Sequence, residues 1–211
     1  MTATETPKVS RKSAGASPVE VVQFRITGLR PLLMANPQSM LEYADPRVIK
    51  LAELRKIKAA NKTEGDWIEE AQIQASLNAY TDDQDRPIVP AFNVRGLICG
   101  AARKWKMGKV ALAAIATEDA IIKHNGPAET MSELLNHRQF IDRRSIKQGQ
   151  ARVIRCRPKF FPWSIEPVVT FDKSVIKNGD EILRWLEYAG NMIGLGDSRP
   201  TFGKFLVERI G

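Results

Sequence analysis

An α+β fold is what this sequence predicts, on three observations. Runs rich in Val, Ile and Phe open and close the chain, at Val21–Thr27 and Phe205–Ile210. Two segments between them, from Ala91 and from Asp180, repeat apolar residues at helical spacing. The segments follow one another as strand, helix, strand, strand, helix, strand. That is the split βαβ order of a ferredoxin-like (RRM-like) βαββαβ core, here with a helical insertion after the first strand and a basic, hairpin-like or thumb-like insertion later.

Each element has a local reason. Residues 1–18 are rich in Ser, Thr, Ala and Pro, with Lys8, Arg11 and Lys12 and little to bury, so a flexible basic arm is expected there. The remainder, 19–211, is expected to form one domain with insertions at about 32–86 and 110–150. Gly28 stops the first strand. Asp45-Pro46 offers an N-cap with proline at the first helical position, and Thr63 and Asp66 offer a second start, predicting helices over 46–62 and 64–79. From Ala91 to Lys106, Leu97, Ile98, Ala101, Ala102 and Trp105 form one helical stripe. Arg95, Arg103 and Lys106 fall opposite it, within about 80° of each other at 100° per residue. Residues 119–123 suggest a strand and 131–136 a short helix. Arg155, Arg157 and Lys159 alternate with Ile154, Cys156 and Pro158, which is strand spacing with a cationic face. Asn178-Gly179-Asp180 precedes a helix striped by Ile182, Trp185, Leu186 and Ala189.

Charge narrows the partners. The formal net charge is +8, and it is concentrated. Residues 86–117 carry six Lys/Arg and no acid, and residues 138–159 carry eight against the single Asp142, so the rest of the chain is net acidic. Such clustering suits a polyanion. A solvated basic surface without a ligand is the alternative that charge alone leaves open. No apolar run is long enough to cross a membrane, and the N-terminus lacks the apolar stretch of a signal peptide. Cys99 and Cys156 have no CxxC spacing and read as free thiols of a reducing cytoplasm. No HExxH, P-loop or GxSxG motif is present. His124 and His137 have no partners at metal-ligand spacing, so neither a cofactor nor a metal is expected.

The segment Ile193-Gly194-Leu195-Gly196-Asp197-Ser198-Arg199-Pro200-Thr201-Phe202-Gly203-Lys204 lies between the last helix and the last strand. Glycines permit left-handed φ and close backbone approach, and amides beside Arg199 and Lys204 suit phosphate oxygens. A tight helix-to-strand connection explains the same glycines. The segment resembles the glycine-rich signature of the RAMP superfamily of CRISPR backbone proteins. Gly194, Gly196, Arg199, Phe202, Gly203 and Lys204 match it; Thr201 stands where a further glycine is common, and the spacer is about one residue shorter. Upstream, Ile88-Val89-Pro90-Ala91-Phe92-Asn93-Val94-Arg95-Gly96 is similar to the strand-to-helix run of those proteins, with Ala91-Phe92-Asn93 in place of Gly-Ser-Ser. The PLLM segment, the PxxNxRG helix and the GLGDxRPxFGKF ending together also resemble small bacteriophage proteins, which implies handling of phage DNA or RNA in a bacterial cytoplasm.

The resemblance implies a single-stranded nucleic-acid-binding protein that polymerises side by side along the strand. Arg95, Arg103, Lys106, Gly194, Gly196, Arg199 and Lys204 would line its groove. Arg143, Arg144, Lys147, Arg155 and Arg157 would extend it, and Phe140 is a candidate stacking platform. Asp142 and Asp197 read as ion-pair partners that orient arginines. The alternatives are a RAMP-type endoribonuclease and a phage protein that mimics a CRISPR subunit to bind a protein partner. No catalytic residue is assigned.

Overall fold

The computed structural model describes residues 19–37 and 45–211; the expected N-terminal arm, 1–18, lies outside the described residues. The first strand, β1 (Val19–Gly28), buries Val22, Phe24 and Ile26 and turns its odd-numbered residues outward. A short β2 (Leu32–Leu33) follows. Asp45 accepts from the Arg47 amide to start α1 (Pro46–Lys56), and a Thr63–Asp66 capping box starts α2 (Glu64–Leu77), as the sequence predicts. Then come β3 (Ile88–Val89) and α3 (Ala91–Ala102). Leu97, Ile98, Ala101 and Ala102 are buried, matching the expected stripe. The α-helix is shorter than the pattern suggests, because residues 103–105 tighten to a 3₁₀ turn and Lys106 takes a left-handed φ of 62°.

The stretch that sequence reads least well resolves into α4 (Gly108–Ala114), β4 (Ile115–Thr117), β5 (Ala120–Ile121), β6 (Lys123–His124) and α5 (Met131–Leu134). A long hairpin follows, β7 (Ile141–Gln148) and β8 (Ala151–Phe160), then β9 (Trp163–Ile165), β10 (Val168–Asp172), α6 (Gly179–Tyr188), a π-helical turn over 189–193, and β11 (Phe205–Arg209).

The main sheet is antiparallel. Strand β1 lies between β11 on one side and the collinear β9 and β10 on the other, with β4 and β6 beyond these. The fold is α+β and compatible with a ferredoxin-like topology. Helices α3 and α6 cover the inner face, where Phe24, Ile26, Phe171, Trp185 and Phe205 are at most 1% exposed. The basic strand β8 is not part of this sheet. It belongs to a separate one ordered β2-β8-β7, and its outer half, residues 151–155, stays exposed to half-buried. Helix α2 packs along β8 and covers its edge. The Gln74 side chain accepts from the Cys156 amide (2.7 Å), and Asn78 donates to the Cys156 carbonyl (3.2 Å), so the exposed ladder is satisfied by side-chain amides. No helix among the described residues is long and apolar enough to cross a membrane.

The outer face of the main sheet carries paired charges. Strand register places Val21, Arg25, Thr27, Leu206 and Glu208 on it, and Glu166 meets Arg25 there, with no aromatic side chain among the described residues on that face. Arg25 donates to Glu166 and Glu208, both at 3.0 Å, and Lys123 pairs with Glu166 at 2.7 Å. These two cations hold the Glu166 carboxyl below its usual range.

Candidate nucleic-acid interface

The β7–β8 register runs from Ile141 opposite Pro158 to Gln148 opposite Ala151. Gly149, at φ 61° in the two-residue turn, closes it. Side chains alternate, so Asp142, Arg144, Arg155, Arg157 and Lys159 share one face, and Arg143, Lys147, Arg152 and Cys156 share the other.

Two arginines of the first face clamp the hairpin base to the glycine-rich loop. Arg144 makes a two-pronged contact with buried Asp142, including Nε to Oδ2 at 2.6 Å, and its guanidinium stacks 4.4 Å from the Phe202 ring centre. The pairing with Asp142 raises the Arg144 pKa. Arg157, only 7% exposed, sets Nε 2.7 Å from Asp197 Oδ2, an ion contact outside hydrogen-bond alignment, and donates from Nη1 to Ser198 (3.4 Å). Asp142 and Asp197 thus do orient arginines, but Asp197 serves Arg157 across the interface and not its neighbour Arg199. Arg157 is correspondingly buried in that clamp, not displayed on an open basic strand. Arg155 and Lys159, half-buried beside it, have no carboxylate partner among the described residues. Lys147 is exposed near the turn. Arg143 lies over Trp67 of α2 at 5.3 Å from the ring centre, and Lys62 also approaches that ring, at 4.3 Å.

The glycines of the loop have an internal reason. Gly196 (φ 79°) lies where a Cβ would come 2.4 Å from the Leu33 carbonyl, and at Gly203 (φ 68°) it would come 1.7 Å from that of Leu195. At Gly194 the Phe202 carbonyl fills the same space. The amides of Leu195, Asp197 and Gly203 donate to Gly203, Leu33 and Pro31, at 2.8, 2.9 and 2.8 Å. The expectation that Gly194 and Gly196 clear backbone for a ligand is therefore corrected: the chain itself takes the room, locking the loop onto β2. Lys204 donates to the Asn191 carbonyl (2.8 Å), and Arg199 projects outward, exposed.

The two sequence motifs meet. A cleft of about 290 Å³ is walled by Pro90, Phe92 and Asn93 at the start of α3, by Met34, and by Gly196 and Arg199 of the loop. Arg103 and Lys106 do not join it. They lie at the far end of α3, about 15 Å from Asn93 at 1.5 Å per residue. Arg95 is half-buried and donates to the Leu112 carbonyl, capping the end of α4. The single cationic helix face that sequence predicts is thus split, because Arg95 is used to close α4.

Phe140 is no platform. It is 6% exposed and packs against Phe160 and His124 at 5.9 and 5.8 Å. An aromatic exposed at the cleft is Phe92, 58% exposed beside Tyr80, which the helical pattern hid because it falls off the buried stripe; Phe161, past the end of β8, is exposed to a similar degree. Burial lowers the His124 pKa, and its Nδ1 accepts from the Gly126 amide (3.0 Å). Among the described residues no cluster of His, Cys, Asp or Glu is arranged to hold a metal.

No family model matches the chain, and no curated protein matches it. A solved structure that is similar is a chain in the cryo-EM structure of the Type III-B Cmr-beta bound to cognate target RNA. Identity is 13% and the TM-score 0.49, over 91% of this chain and 61% of that one, so this chain spans less than two thirds of its neighbour's length.

Proposed function

We propose that this chain binds single-stranded nucleic acid along a track from the α3–loop cleft onto the cationic face of the β7–β8 hairpin. The observation that carries this reading is the convergence of two motifs about a hundred residues apart on one cleft, clamped to the hairpin through Arg144–Phe202 and Arg157–Asp197. Cations strung along an extended strand suit a flexible backbone, which such grooves follow electrostatically. On this reading 19–211 is one domain with a βαββαβ core, and the hairpin is its thumb-like insertion. The chain binds without cutting, and copies assemble side by side on a long strand.

Anisotropy of labelled DNA and RNA strands across roughly 50 to 200 mM salt tests it, because each phosphate contact adds about 0.7 to the log–log slope for single strands. Arg155→Ala and Arg199→Ala should each lower the slope by about that amount. An unchanged slope in the double variant removes these residues from the site. Labelled RNA should be recovered intact with and without Mg²⁺, and light scattering should grow with strand length.

A further inference from the structure

We infer that the 290 Å³ cleft at the start of α3 takes one unstacked nucleobase of the bound strand, with Phe92 as its stacking wall. This deepens the proposed function and rests on it. Phe92 leaves 58% of its surface in solvent although its neighbours Val89 and Val94 are buried. An aromatic ring displayed beside a cleft in this way offers a ready π-face. The ring is held in place: Tyr80 meets it edge-on, with centroids 5.9 Å apart and planes at 72°, and the Tyr80 hydroxyl donates to the Ala35 carbonyl (3.2 Å). A preorganised aromatic loses little entropy on binding.

The remaining walls suit a base attached to a phosphodiester. The volume equals that of on the order of ten water molecules, enough for a base ring system. Asn93 in the wall lends part of its side-chain amide to the Tyr80 hydroxyl, and its remaining donor and acceptor capacity can meet a base edge. Arg199 at the rim is exposed and lies where the adjoining phosphate would pass.

The test compares a mixed-sequence strand with an abasic strand of equal length, together with the fluorescence of a strand containing 2-aminopurine. The wild-type chain should prefer the base-bearing strand by on the order of tenfold and quench the 2-aminopurine. Phe92→Ala should abolish both effects with the salt slope unchanged. Phe92 is exposed, so this variant should keep the wild-type melting temperature; Phe92→Leu, which keeps bulk without a π-face, is the second variant and should behave likewise. Equal wild-type affinity for both strands, or full preference in both variants, overturns the pocket while leaving the track. Failure of the wild-type chain to bind either strand overturns the proposed function and the pocket with it.

Discussion

The Arg157–Asp197 contact makes an asymmetric prediction. The Arg157 side chain is 8% exposed and that of Asp197 is 32% exposed, at 2.7 Å. Removing one member of a buried pair strands the other, at about 3–5 kcal/mol when the survivor has no access to water. Asp197→Asn strands a guanidinium near that limit, so it should cost about 3 kcal/mol. Arg157→Met leaves a carboxylate a third open to solvent, which recovers much of its hydration, so about 1 kcal/mol is expected. The double variant strands no charge and should also cost about 1 kcal/mol, giving a coupling of about 3 kcal/mol. Urea unfolding followed by fluorescence of the buried Trp163 and Trp185 measures all four corners, with a constant slope on denaturant as the check on two-state behaviour. If Arg157→Met proves the more damaging change, or the coupling falls below about 0.5 kcal/mol, the clamp is not what joins hairpin to loop.

Gly203→Ala drives a Cβ to within 1.7 Å of a carbonyl and should cost about 4 kcal/mol or prevent folding. Gly149→Ala, with a similar φ but open space around it, should cost only about 1 kcal/mol, as thermal melts of the two will report. Burial holds the folded His124 pKa below its ordinary 6.5, so the unfolded chain binds the proton more readily. Stability contributed by the neutral ring is therefore full above about pH 6.5 and is lost as pH falls toward the folded value; melts from roughly pH 7.5 downward should show this drop, and His124→Phe should remove it. Arg25→Ala, on the outer face of the main sheet, should leave strand affinity within about twofold of wild type in the anisotropy assay, since a phosphate contact there would instead change the salt slope.

Legibility followed locality. The caps at Asp45, Thr63 and Asn178 and the stripe of α6 are short-range signals, and each falls where the sequence places it. The strand alternation at Arg155–Lys159 also held, but its sheet was not legible, since alternation says which residues share a face and nothing of which strand lies alongside. Helix α4 was missed because Gly108–Ala114 is too short and too rich in Ala for a periodic signal. At the candidate site, the presence of Arg199 and the nearness of the two motifs followed from sequence. The burial of Arg157, the capping duty of Arg95 and the filling of the Gly196 space by Leu33 did not, because each depends on a partner more than fifteen residues away.

The outer sheet face is the reason the proposed track is drawn on the hairpin side. A β-sheet that reads RNA on its open face stacks bases on aromatic side chains there. Here register leaves that face without one among the described residues, and its central cation, Arg25, is tied up by Glu166 and Glu208. The two carboxylates at the middle of the sheet balance Arg25 and Lys123, so that face offers a phosphate chain no net positive charge, and freeing Arg25 would sacrifice two charge-assisted hydrogen bonds. On the opposite flank the balance reverses. Asp142 and Asp197 are each occupied by an arginine, while Arg155, Lys159 and Arg199 keep their charge without a carboxylate partner among the described residues. Acids on that flank position cations, whereas acids on the sheet cancel them, and this difference in partnering, more than the overall charge of +8, decides which surface a polyanion can occupy.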